Sequence, residues 1–139
     1  MRPRQRSRRI GHVSERAVRY RIARLRRTGV IRVSAIVNPQ AVGFAVVGDI
    51  SLDVAPGKLR DVAARLAEIP AVSYLAGSVG EGDLSVQVYA HDTEELVRLV
   101  HDVVGKVPGV TRAKVAMVPW TLKDVYQWQV PPDVSEKGG

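Results

Sequence analysis

The stretch Leu84-Ser85-Val86-Gln87-Val88-Tyr89-Ala90-His91-Asp92-Thr93-Glu94-Glu95-Leu96 changes period halfway along. From Leu84 to Ala90 apolar and polar side chains alternate, the pattern of a half-buried strand. Asp92 and Glu95 then form a D-x-x-E capping box, and Leu96, Leu99, Val100 and Val103 recur at helical spacing. Upstream, Phe44–Val54 alternates too. Val46, Gly48, Ile50, Leu52 and Val54 share one face, and Ala45, Val47, Asp49, Ser51 and Asp53 the other. Pro56-Gly57 turns the chain into a helical pattern, Leu59, Val62, Ala63 and Leu66, that runs to about Glu68. Ala71–Val79 reads as a strand, Gly77–Asp83 as a glycine-rich loop and Val110–Val118 as a last strand. Glu68-Ile69-Pro70-Ala71-Val72 is echoed by Lys106-Val107-Pro108-Gly109-Val110, each leading from a helix into a strand. The order β-α-β-β-α-β is that of an α+β, ferredoxin-like plait. Its helices cover one face of a four-stranded antiparallel sheet. The other face, expected to carry Ala45, Val47 and Leu75, must meet water or a partner.

Ahead of Phe44 the composition changes sharply. Residues 1–32 hold twelve arginines and one acid, Glu15, a balance of +11; the remainder of the 139 residues balances at −4. Such asymmetry suits a polyanion-binding head on a separate body, or else a basic tail that is merely solvated. Residues 1–12 show little apolar pattern beyond Ile10, with a turn expected near Ser7–Ile10. Ser14 is a good N-cap, with Glu15 placed in the first turn where a carboxylate suits the helix dipole. Val18, Ile22 and Leu25 line one helical face, and Arg16, Tyr20, Arg24 and Arg27 lie away from it. Thr28-Gly29 ends the helix. Val30–Val37 is rich in β-branched residues, reads as a linking strand and stops at Asn38-Pro39.

Several chemistries find no support. There is no cysteine, hence no disulfide framework or thiolate metal site. His91 and His101 stand ten residues apart across a strand–helix junction, a spacing that does not fit two ligands on one helical face, and no metal is expected. No catalytic triad order and no phosphate-cradling glycine loop occurs, so neither an enzyme nor a cofactor is expected. No apolar run reaches the roughly 18 residues that span a bilayer, and no signal core follows the basic start. A cytoplasmic protein without a membrane partner is the expectation. The loop Gly77-Ser78-Val79-Gly80-Glu81-Gly82-Asp83 leaves backbone amides uncovered and can bind a small carboxylate or ammonium group. From these residues alone, the plainer reading as a hairpin connection is favoured.

Val13–Leu25 followed by Thr28-Gly29-Val30-Ile31 resembles the recognition helix of the leucine-responsive/asparagine regulator (Lrp/AsnC) family. Ser14, Val18, Arg21, Ile22, Arg24, Leu25, Gly29, Val30 and Ile31 match its pattern, and Ala17 stands where Thr is usual. The resemblance continues through Asn38-Pro39, the plait, the G-x-x-D element Gly80–Asp83 and Pro108-Gly109-Val110, about residues 7–126 in all. In the family two helices precede the recognition helix. Here only Ser7-Arg8-Arg9-Ile10-Gly11 does, so the resemblance implies a partial helix-turn-helix. It implies four segments: residues 1–32 as a DNA-binding head, 33–43 as a linker strand and turn, 44–126 as an effector-binding and oligomerising RAM domain, and 127–139 as a tail. It further implies binding to double-stranded DNA through Ser14, Arg16, Arg19, Tyr20, Arg24 and Arg27. The effector, an amino acid or similar small molecule, is expected at Ser78, Gly80, Glu81, Gly82 and Asp83, within a homodimer or higher homo-oligomer. The rival expectations are a stand-alone ligand-binding or assembly module that does not read DNA sequence, and a small plait enzyme.

Overall fold

A computed structural model describes residues 13–131. The turn expected near Ser7–Ile10 and the tail from Pro132 lie outside the described residues. The chain divides between Val37 and Asn38 into two compact units.

The first unit holds one helix, α1, Glu15–Arg27. Ser14 caps it as expected, its Oγ accepting from Ala17 N–H at 3.2 Å. At the other end Gly29 takes φ +74°. Val30 N–H then reaches Leu25 O at 3.0 Å and Gly29 N–H reaches Arg26 O at 3.2 Å, the paired bonds of a Schellman ending. Val30–Val37 does not form the expected linking strand. β-branched residues favour an extended chain, but a strand also needs a hydrogen-bonding neighbour, and none pairs with this segment among the described residues.

The second unit is the plait. After a 3-10 turn at Pro39–Val42, capped by Asn38, come β1 (Val46–Val54), α2 (Leu59–Ala67), β2 (Val72–Gly77), β3 (Leu84–Ala90), α3 (Thr93–Arg98) and β4 (Val110–Val118). The sheet order is β2-β3-β1-β4, with every neighbouring pair antiparallel. α3 runs on into a wider π-helical turn, Leu99–Val104, closed by Gly105 N–H on Val100 O at 2.8 Å. The core lies between sheet and helices: Ile50 and Leu52 from β1, Val86 and Val88 from β3, Val62 and Leu66 from α2, and Leu96, Val100 and Val104 from the second helix. Each such side chain contributes roughly 1.5–3 kcal/mol on burial. Gly48 lets α3 come close, since a Cβ there would stand 2.5 Å from Leu96 Cδ1.

One face assignment is corrected. Leu75 packs on the core and not on the open face, because β2 carries a bulge at Ser73. Val72 pairs with Val88, yet Tyr74 pairs with Gln87 and Leu75 with Val86. One inserted residue reverses the side-chain alternation beyond it. Tyr74 and Ala76 therefore take the open face. Ala45 falls just before β1 rather than in it.

Candidate functional site

The first candidate surface is α1. No residue of the helix is buried. Val18, Ile22 and Leu25 form the apolar stripe; Arg16, Tyr20 and Arg27 point away from it, with Arg24 at the margin. Tyr20 is 63% exposed. Arg19 sits nearer the stripe and its Nη2 donates to Glu15 Oε1 at 2.6 Å, which neutralises the one acid of the helix. Ser14 spends its acceptor on the cap. Arg16, Tyr20, Arg24 and Arg27 thus form one cationic strip with a tyrosine in it, while Ser14 and Arg19 serve the helix itself.

The second candidate is the loop between β2 and β3. It is stitched to β1 by several bonds. Asp83 N–H donates to Leu52 O at 2.7 Å and Ser78 N–H to Asp83 O at 2.9 Å. Val54 N–H donates to Asp83 Oδ2 at 2.8 Å, where β1 and β4 shift register. The Ser51 hydroxyl donates to Glu81 O at 3.3 Å. Asp83 therefore has a structural duty on one carboxylate oxygen, and the other oxygen remains. Gly82, at φ +82°, lies so close to β1 that a Cβ would overlap Ser51 Oγ.

Beside this loop the open sheet face holds a shallow concavity of about 350 Å³. Ser78 and Glu81 line it together with Asp49, Ser51, Ser85 and Lys114. Gly80, Gly82 and Asp83 are not among its lining residues; they shape the loop that borders it. Asp49 and Lys114 were absent from the sequence-derived set. Asp49 belonged to the polar half of the β1 alternation, which was the available signal. Lys114 joins it only because β4 pairs with β1 in a register that sets Ser51 opposite Lys114. The concavity thus holds both carboxylates and an ammonium group. At its edge Gln87 Nε2 donates to Asp49 Oδ1 at 3.0 Å, and farther along the open face Val47, Tyr89 and Val118 meet as an apolar end.

His91 is committed to its neighbours. Its ring lies 4.2 Å from that of Phe44, and its backbone N–H and Nδ1 reach Glu95 Oε2 at 2.7 and 2.6 Å. These bonds hold the Glu95 carboxyl below the usual carboxylate range, led by the one from the backbone. No group of three His, Asp or Glu residues suited to a metal ion occurs among the described residues.

Sheet, helices and loop make up a ferredoxin-like plait, and a cationic helix precedes it in the chain. The sequence pattern of the Lrp/AsnC ligand binding domain matches residues 49–128. The chain belongs to the Lrp/AsnC family. An HTH-type transcriptional regulator of Pyrococcus abyssi is 37% identical over 123 residues, which span 88% of this chain and 75% of that one. The regulator LrpA of Pyrococcus horikoshii is 34% identical over 112 residues, 80% and 79% of the two chains. Among solved structures, the feast or famine regulatory protein of M. tuberculosis complexed with L-methionine superposes with a TM-score of 0.76. It shares 26% identity, across 86% of this chain and 80% of that one. E. coli AsnC shares the fold, with a TM-score of 0.75 at 16% identity over 81% and 76%. The curated relatives are transcriptional regulators.

Proposed function

We propose that this protein is a DNA-binding transcriptional regulator that dimerises through its open sheet face and senses an amino acid beside the Gly77–Asp83 loop. The observation that carries the DNA part is the division of α1 into an apolar stripe and a strip of Arg16, Tyr20, Arg24 and Arg27. Guanidinium groups at helical spacing pair with phosphates, while residues near the helix N-terminus reach base edges in known helix-turn-helix complexes. Arg16 takes the second role and Arg24 and Arg27 the first. The test is an electrophoretic shift assay over a salt series. Binding that weakens steeply with salt and prefers one operator supports the reading. Absence of binding even at low salt overturns it.

The effector part rests on the concavity lined by Lys114, Asp49 and Glu81. An amino acid carries a carboxylate and an ammonium a short distance apart. Lys114 and the loop amides near Gly80 suit the first, and Glu81 and Asp49 suit the second, with the remaining oxygen of Asp83 bordering the site. The L-methionine complex of the mycobacterial relative supports this ligand class. A calorimetric screen of the twenty amino acids against wild type and Asp83→Asn is the check. Asp83→Asn keeps an oxygen for Val54 N–H and removes the charge. Heat from one amino acid that falls at least tenfold in affinity in the variant supports the charge role. Unchanged affinity removes Asp83 from the site.

Dimerisation answers the open face, where Val47, Tyr74, Tyr89 and Val118 are apolar. A two-fold dimer is the commonest closed assembly, and higher oligomers of such dimers bring the loops of neighbouring pairs together in a cytoplasmic regulator. A second reading, a ligand-binding or assembly module without sequence-specific DNA binding, is favoured by one observation. None of Val18, Ile22 and Leu25 is buried, and a reading helix needs its apolar stripe packed against a supporting helix. An affinity indifferent to DNA sequence selects that reading.

A further inference from the structure

We infer that residues 120–130 are an arm that docks onto a second copy of this chain, against the apolar end of its open sheet. The inference rests on the dimer proposed above and adds to it the element that completes the interface.

After β4 the chain carries Trp120, Leu122, Val125, Tyr126, Trp128 and Val130 within eleven residues, all of them more than half exposed. Leu122 reaches 89% and Trp120 68%. This is not slack chain. Asp124 N–H donates to Gln127 Oε1 at 2.9 Å, Gln127 N–H to Asp124 O at 2.9 Å and Trp128 N–H to Val125 O at 3.2 Å. The turn Val125–Gln127 is thus held at both ends while its apolar side chains face outward. Holding them so lowers the ordering cost of docking.

Charge narrows the occupant. Lys123 and Asp124 are the only charged residues in the arm and they cancel, so it offers nothing to phosphates or anionic headgroups. Position narrows it further. β4 ends at Val118, two residues before Trp120, so the arm leaves the sheet beside that strand end. Tyr89 pairs with Val47, and Val47 with Val118, so the arm borders the apolar end of the open face.

Area supplies the remaining argument. Four strands about 4.8 Å apart and of six to nine residues, so roughly 20–30 Å long, offer a sheet face of roughly 500 Å². A stable interface buries about 800 Å² per partner. The sheet alone falls short by more than a third. Two tryptophans and a tyrosine, at 150–250 Å² each when fully buried and about two-thirds exposed here, add roughly 300–500 Å². Sheet and arm together reach the required size, and a two-fold axis lets each arm serve the other sheet.

Trp120 and Trp128 are the only tryptophans in the chain, so intrinsic fluorescence reads the arm directly. The full chain is taken from nanomolar to tens of micromolar while light scattering follows mass, and acrylamide quenching and emission follow the tryptophans. The expected result is a blue shift and a several-fold fall in quenching that track the monomer-to-dimer transition. Trp120→Ala with Trp128→Ala, at positions exposed in the single chain, should keep wild-type circular dichroism and raise the dimer Kd at least tenfold. A dimer whose tryptophans stay as quenchable as in the monomer overturns the arm and leaves the sheet dimer standing. A monomer throughout the range overturns both. Tryptophans protected only when DNA duplex or anionic vesicles are added assign the arm to another partner and overturn the inference.

Discussion

Gly82 and Gly77 frame the same loop, yet the physics of replacing them differs. Gly82 has φ +82°, and a Cβ there would overlap Ser51 Oγ and stand 3.3 Å from Leu52 O. Alanine in a left-handed conformation costs about 1–2 kcal/mol before any clash. Gly77 lies at the end of β2 with nothing within 4 Å of a Cβ and no positive φ. Gly82→Ala should therefore lose about 2 kcal/mol or more in urea unfolding, and Gly77→Ala should stay within about 0.5 kcal/mol of wild type. Equal losses at both positions would show that the loop is not seated on β1 as described. The same closeness explains why Asp83 is legible only in part from sequence. A G-x-x-D element announces a turn and an exposed carboxylate. That one oxygen of it serves Val54 N–H depends on β1 lying alongside, which no local pattern records.

At the scale of elements, local signals succeeded where the cause was local. Ser14 caps α1, Asp92 caps α3, and β3 and β4 span the expected residues, because caps and alternation are written into neighbouring positions. The misreadings arose where pairing decides: Leu75 turned inward by the Ser73 bulge, and Val30–Val37 without a strand partner among the described residues. The box at α3 was legible in outline but differs in detail. Asp92 Oδ1 accepts from Glu95 N–H at 2.7 Å, whereas Glu95 reaches back to His91 rather than to Asp92. This reach makes the helix start sensitive to acid. The folded protein holds the Glu95 carboxyl below its ordinary value, so fewer protons bind it folded than unfolded. Its stabilising contribution is then present above the ordinary carboxylate range and is lost as pH falls through that range to the lower folded value. Glu95→Gln should lower the thermal midpoint at pH 7, and the gap to wild type should narrow steadily toward pH 3. A gap that is constant with pH would mean that the charge on Glu95 does nothing for the helix.

Considered whole, the molecule joins a head of +11 to a body of −4, and that imbalance bears on how many heads reach one DNA. A duplex repels the body and attracts the head, so phosphate contacts should come from residues 1–32 alone. Each phosphate neutralised releases counterions, and the slope of log K against log salt is about −0.9 per contact. Arg24 lies at the margin of the cationic strip, away from the helix N-terminus, and is placed for phosphate rather than for base. Removing it should weaken binding to every sequence alike. A monomer bound through one α1 loses one contact, so Arg24→Ala flattens the slope by about 0.9; a dimer with both heads engaged loses two, about 1.8. Fluorescence anisotropy of a labelled duplex between 50 and 300 mM salt measures the difference without any need to know the operator. The expected change is the larger one, because the proposed sheet-face dimer carries two heads. The smaller change, found at protein concentrations where light scattering reports a dimer, would mean that one head is idle. An unchanged slope would remove Arg24 from the DNA contact.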